Sequence, residues 1–372
     1  ARFAVICTGP LTEPLLPRVQ GMERFKGISM HTARYDPSVD LSGKTVGVIG
    51  TGASGGQTIT TLCHKVKKLV VFQRTPAYVV PREDQPTPQS FKDARLEDPD
   101  YTEKLRAASY AEMDSGYYDI LNDQKQNAAF SKQIRGLIKR MVKDPELAKK
   151  LTPQYPIGCK RILVLDDYWQ TFNRENVELV ADPRGVRTIT ETGIEMYGKH
   201  YKLDAIVYAT GFDMGVYNMD FVGVGGAVLG DVWKREGLRS LFGLHVSGFP
   251  NLLFMCSPGS LNPAVNVTWC LEKQAQHFVK MAKHMQLNNF TRVEPANIQD
   301  ELDWLQLTRE ISSNTVWARC NNYYSGMFKN TGGSEAASVQ DGSGEVVSDA
   351  WWGRMSVWQR HVDDCMSKLH FR

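Results

Sequence analysis

No run in this 372-residue chain approaches the roughly 18 consecutive apolar positions that a membrane-crossing helix needs, so no membrane span is expected. The first residues lack the basic-then-apolar layout of a secretory signal, and there is no initiator methionine. An excess of one charge is lacking too. The 44 basic residues face 41 acidic ones, a formal net charge of +3, which argues against a nucleic-acid partner and against an acidic tail. The seven cysteines (Cys7, Cys63, Cys159, Cys256, Cys270, Cys320, Cys365) are scattered, odd in number and without a C-x-x-C pair. Neither a disulfide framework nor a zinc site is indicated, and a reducing, cytoplasmic setting is expected. The absence of a G-x-S-x-G elbow, of H-E-x-x-H and of any paired metal-ligand spacing removes the common hydrolytic readings and leaves no metal site. No repeat of solenoid period is visible. The composition that remains, 42% apolar and 23% charged, is that of a globular α/β chain long enough for two domains and favours small-molecule chemistry.

What is present is concentrated in KTVGVIGTGASGGQ, Lys44 to Gln57. A strand at Thr45 to Ile49 runs into a glycine turn that opens a helix, expected from Gly55 to Lys68 with Ile59, Leu62 and Val66 on its buried stripe. A second strand follows at Leu69 to Phe72, completing a nucleotide-binding βαβ unit. Gly50, Gly52 and Gly55 fit G-x-G-x-x-G: a tight turn, a close approach for a pyrophosphate, and close helix packing. Thr51, Ala53, Ser54 and Gln57 stand at the helix start, where free amides and the helix dipole attract phosphate. An NAD site usually carries Asp or Glu at the end of the second strand. Here the strand ends in Gln73-Arg74-Thr75, and a guanidinium suits a 2′-phosphate, so NADPH is the expected nucleotide.

From Glu83 to about Pro153 the strand pattern gives way to helical periodicity, a helical insertion whose clearest helix carries Ile134, Leu137, Ile138, Met141 and Val142 and is closed by Pro145. Short β-rich runs follow (RILVL, NVELV, GVRTI, AIVYA), then NLLFMC and a long helix with Val267, Leu271, Phe278 and Met281 on its expected buried stripe. The stretch 330–349 is Gly/Ser-rich and reads as a surface loop; the Trp-rich WWGRMSVWQRHVDDC after it should pack back on the body.

Upstream of the glycine turn lies FKGISMHTARYD, Phe25 to Asp36. It resembles the F-x-G-x-x-x-H-x-x-x-W-P/D fingerprint of type I Baeyer–Villiger monooxygenases, with Phe25, Gly27, His31 and Asp36 matching and Tyr35 in place of the usual Trp. GVIGTGASG, VFQRTPAYVVPR, YPIGCKR, FNRENVELV, GVRT, LDAIVYATGFD, GFPNLLFMCSPGS and YYSG follow in that family's order, covering the chain to about Ser325.

The resemblance implies a two-dinucleotide-binding-domain (Rossmann-like) flavoprotein that uses FAD, NADPH and O2 to convert a ketone into an ester or lactone through a C4a-peroxyflavin. It implies the catalytic arginine at Arg161 and a second 2′-phosphate contact at Lys160. It puts His31 on the linker between nucleotide domains, Tyr323 beside the substrate, and Asn262, Pro263, Ala264 and Asn266 near the flavin edge. The family's FAD-binding G-x-G-x-x-G has no counterpart in this sequence, so the FAD domain is expected to be incomplete, with a missing N-terminal segment or a second chain as partner. The implied layout is residues 1–40 as a remnant of the FAD domain and linker, 41–215 as the NADPH-binding Rossmann domain with the insertion at about 83–153, and 216–372 as the C-terminal part of the FAD and substrate domain. An N- or S-oxygenating flavin monooxygenase, which needs no dedicated arginine, and a flavin-free NADPH-binding module remain open as alternatives.

Overall fold

In the computed structural model, which describes residues 1–9, 11–213, 219–257, 259, 260, 262, 266–319 and 350–372, the chain divides into two units, each assembled from separated segments. A sheet unit comprises Glu13–Thr87 and Asn127–Asp213; a helix-rich unit comprises Ala1–Thr12, Pro88–Gln126 and Met214–Arg372. The helical stretch after Glu83 is therefore shared, its first part grouping with the helix-rich unit and its later part with the sheet unit.

The sheet unit is built on five parallel strands: β1 (Ile28–His31), β2 (Thr45–Ile49), β3 (Lys68–Gln73), β6 (Val177–Ala181) and β7 (Ala205–Tyr208), in the order β1-β7-β2-β3-β6. Between β2 and β3 runs helix α1 (Ala53–Leu62). Val46 and Val48 on β2, Val71 on β3 and Val207 on β7 pack with Ile59, Leu62 and Val66 in one core, as the helical spacing requires. The helix ends at Leu62, short of the expected Lys68. Residues 63–67 are needed to turn the chain into β3, and Lys67 N–H closes that turn on the Lys44 carbonyl at 3.0 Å. Strands β4 (Val79–Val80) and β5 (Leu163–Val164) pair in parallel apart from the main sheet, so the run RILVL gives two strand residues rather than five. Helix α2 (Gln124–Met141) buries Ile134 and Ile138. Pro145 does not merely close that helix: it is the first residue of the next, Pro145–Leu151, where its missing N–H is harmless and Asp144 caps Glu146 N–H at 2.9 Å.

The helix-rich unit holds a parallel strand pair, Ala4–Ile6 with Leu252–Phe254, and helices α3 (Leu229–Glu236), α4 (Val267–Leu287), α5 (Ile298–Ser313) and α6 (Met355–Asp363). Trp351, Trp352 and Trp358 are fully buried, as their apolar run leads one to expect. On α4 the buried face is Cys270, Gln274, His277, Met281 and Met285; of the expected stripe, Met281 is buried, whereas Val267, Leu271 and Phe278 are only half-buried. Polar side chains occupy core positions there because each finds a partner: Gln274 accepts from Cys256 N–H at 3.1 Å and donates to Ser260 Oγ at 3.1 Å, and His277 meets His245. No helix of the described residues is long and apolar enough to cross a membrane.

Candidate functional site

The glycine turn lies at the C-terminal end of β2, where parallel sheets gather their ligands. Gly50 has φ +107°, and a Cβ there would fall 2.4 Å from the Ala209 carbonyl oxygen; a Cβ on Gly55 would fall 2.3 Å from the Gly50 oxygen. Both positions exclude a side chain because backbone packs against backbone. Gly52 differs: a Cβ there would meet nothing within 4 Å, so its face is open. Gly52 caps α1 without a side-chain hydrogen bond, which leaves the first-turn amides of Ala53, Ser54 and Gly55 without a side-chain cap. Gln57 is exposed one turn on, and buried Thr51 donates to the Thr75 carbonyl at 3.1 Å, tying the turn to the loop after β3.

At the tip of β3 there is no acid. Gln73 is buried and donates to the Lys150 carbonyl at 2.9 Å. The carboxylate of the adjoining strand end, Asp182, is engaged by Arg184, whose hydrogen bonds hold its pKa at about 2. Arg74 is exposed and lies over Gly185.

The segment Tyr155–Arg161 is fastened beside Arg74 by two reciprocal hydrogen bonds. Tyr155 OH donates to the Pro76 carbonyl at 2.8 Å and Tyr78 OH to the Tyr155 carbonyl at 2.8 Å, with the rings edge to face at 5.4 Å. Helix α2 grips the same segment from a polar face with a period of four: Asn127 donates to the Ile157 carbonyl, Ser131 accepts from Ile157 N–H, and Arg135 donates to the carbonyls of Pro153 and Tyr155. Lys160 is thereby held close to Arg74. Its ammonium stands 5.2 Å from the Tyr155 ring centroid, and its pKa is lowered by burial and then by the charge of Arg74. No acid among the described residues pairs with either cation. Two like charges brought together without a counter-charge form an anion site. Arg161 is exposed and makes no hydrogen bond or ion pair with a described residue.

His31, at the end of β1, is buried, and its Nδ1 accepts from Ala33 N–H at 3.1 Å. The neutral ring therefore carries its proton on Nε2, which has no partner among the described residues; burial lowers its pKa. In the helix-rich unit, Asn262 donates to the Gly353 carbonyl at 3.1 Å, and Asn266 caps α4, accepting from Thr268 N–H at 2.9 Å. Pro263, Ala264, Tyr323 and the stretch 330–349 lie outside the described residues. Gly50 to Gln57, Arg74, Thr75, Lys160, Arg161 and His31 all belong to the sheet unit, whereas Asn262 and Asn266 belong to the other. The brace residues Tyr78, Tyr155, Asn127, Ser131 and Arg135 were missed by sequence reasoning. The one available signal was the fourfold spacing of Asn127, Ser131 and Arg135, which reads equally well as a solvated helix face.

The residues present fit NADP by the open face at Gly52, the uncapped amides and the paired cations. In the loop expected beside FAD, the side chains of Asn262 and Asn266 hold the Gly353 carbonyl and the first turn of α4.

Residues 3–155 match the flavin-binding monooxygenase-like family. Among the relatives, the 2-oxo-Δ3-4,5,5-trimethylcyclopentenylacetyl-CoA monooxygenase of Pseudomonas putida is 32% identical over 87% of this chain and 67% of its own length. The Baeyer–Villiger monooxygenase PeniC of Penicillium patulum is 31% identical over 83% of this chain, which spans 59% of that relative's length. The solved complex of OTEMO with FAD and NADP superposes with a TM-score of 0.83 at 28% identity, over 100% of this chain and 75% of the other. The chain belongs to the Baeyer–Villiger monooxygenases, and its α/β fold with a parallel sheet is the one their structures share.

Proposed function

We propose that this chain serves an NADPH- and O2-dependent oxygenation that inserts an oxygen atom beside a ketone carbonyl, giving an ester or lactone. The observation that carries the reading is the pair Arg74 and Lys160, drawn together without an acid between them at the end of a glycine turn. The turn, with Gly50, Thr51, Gly52, Ala53, Ser54, Gly55 and Gln57, receives the pyrophosphate. Arg74, Thr75 and Lys160 receive the 2′-phosphate, and no carboxylate at the tip of β3 is placed to take a bare ribose hydroxyl in its stead. FAD, when bound, supplies the transfer of electrons from NADPH to O2. Arg161 contributes a permanently charged guanidinium free to stabilise negative charge that develops on the reacting oxygens and on the substrate. His31 donates from Nε2 rather than acting as a base, because its other nitrogen already accepts a backbone N–H. Asn262, Asn266, Pro263 and Tyr323 belong to the flavin and substrate side of the same reading, and a cytoplasmic setting goes with it.

The test is nucleotide binding together with product analysis. NADP+ should bind more tightly than NAD+ by calorimetry, and with FAD and O2 present ester should form from a ketone panel. Arg161→Ala should abolish ester formation while NADP+ affinity stays within about twofold, well under the tenfold that 1.4 kcal/mol represents. Equal affinity for the two nucleotides overturns the cofactor assignment, and oxygenated amines or sulfides without ester overturn the reaction.

A further inference from the structure

Three soft or borderline ligands from three separated segments meet in the core of the helix-rich unit. His245 follows a tight turn in which Phe242 and Gly243 both have positive φ and Leu241 N–H bonds the His245 carbonyl at 2.8 Å. His277 lies midway along α4, and Cys365 begins the short 3-10 turn after α6. Their exposures are 1%, 4% and 0%. The two Nε2 atoms face each other at 3.0 Å, and a ring nitrogen of each histidine and the Cys365 Sγ lie within 4.8 Å of one another. The surrounding core holds Leu241, Leu244, Met281 and Val362, and no carboxylate of the described residues enters the group. One N–H shared between the rings pairs the two Nε2 atoms with each other, while the thiol makes no hydrogen bond with a described residue.

We propose that His245, His277 and Cys365 form a three-ligand site for a soft monovalent metal ion, Cu(I). Nitrogen and sulfur donors without oxygen exclude the hard cations. Metal–nitrogen bonds of about 2.0 Å and metal–sulfur bonds of about 2.3 Å put ligand atoms about 3.5 Å apart around one ion, within reach of small side-chain shifts from the geometry seen here. Charge decides between the two candidates that remain. A thiolate with Cu(I) is neutral overall, whereas with Zn(II) it leaves one positive charge in an apolar core with no acid to meet it. A closed structural zinc site also requires a fourth ligand, and among the described residues only three are gathered here. Binding is a balanced exchange: one Cu(I) enters, the proton shared between the Nε2 atoms moves to Nδ1 of its own ring by tautomerisation, the thiol proton leaves to solvent, and no electron moves.

The experiment is an anaerobic titration of the full chain with Cu(I) against bicinchoninate, followed by X-ray absorption of the loaded wild-type protein. One equivalent should be withdrawn from the chelator, with two nitrogens and one sulfur around copper. Cys365→Ser should lose that equivalent while Cys256→Ser keeps it. The absorption measurement reads the ligand set even if Cys365→Ser does not fold. The proposal fails if the wild type leaves all copper on the chelator, if copper shows two or more sulfurs, or if the protein retains Zn(II) but not Cu(I).

Discussion

Lys160 and Arg74 repel each other across a site with no acid between them, and a 2′-phosphate would relieve that repulsion. A charge-assisted hydrogen bond contributes about 1.5–3 kcal/mol, so Arg74→Ala and Lys160→Ala should each weaken NADP+ binding roughly 10- to 100-fold and leave NAD+ unchanged, measured by calorimetry. The pH dependence has a definite sign. The bound phosphate favours protonated Lys160, whose pKa in the free protein is already lowered by burial and by Arg74. NADP+ affinity should therefore fall with rising pH, beginning below the ordinary lysine value of about 10.4, while NAD+ affinity stays level. In Lys160→Met that slope should vanish, and its survival would assign the proton elsewhere. The glycines separate in the same assay. Gly50→Ala forces a Cβ against the Ala209 carbonyl at φ +107° and should lower stability by about 1–3 kcal/mol. Gly52→Ala should melt like the wild type and still bind NADP+ poorly, because its methyl projects only into the open face.

At the scale of elements, helix α2 holds the Lys160 segment through hydrogen bonds to its carbonyls and amide and through the packing of Ile134 with Ile157. Arg135→Leu removes the donors to two carbonyls while keeping the aliphatic stem's packing, and NADP+ affinity is expected to drop about tenfold with little change in far-ultraviolet circular dichroism; unchanged affinity would make the clamp purely structural. The buried pair Arg239–Glu301 offers a contrasting case in the other unit: Arg239→Met strands Glu301 in the core and should cost about 3–5 kcal/mol of stability, read by denaturant titration. The strand–turn–helix around Gly50 was legible because its periodicities of two and 3.6 and its glycines act locally. Arg74 and Lys160 could be named individually because a guanidinium at a strand end and a familiar tetrapeptide mark them. Their proximity was not legible, since it depends on Tyr78 donating to the Tyr155 carbonyl across 77 residues and Tyr155 donating to the Pro76 carbonyl in return. The buried face of α4 was legible at Met281 but not at Gln274 or His277, for the same reason: these two look like surface residues until Ser260 and His245, distant in sequence, satisfy them.

At the scale of the whole molecule, the chain alternates between its two units, five segments joined by four crossings. NADP+ should slow hydrogen exchange first and most strongly around residues 50–57, 74–78 and 155–161, all from the sheet unit; protection confined to residues 229–254 would contradict the assignment. The strand order carries a further consequence for how the protein is made. Among the described residues strand β1 pairs only with β7, which follows it by roughly 170 residues, so at about 5–20 residues per second β1 waits roughly 10–35 s on the ribosome without its neighbour. Throughout that interval β2 and β3 can pair and α1 can cover them, but β2 keeps an open edge on the side β7 will take. The nascent protein thus presents an unpaired parallel edge while roughly 160 residues are added, and that edge is where a holding chaperone would first be needed.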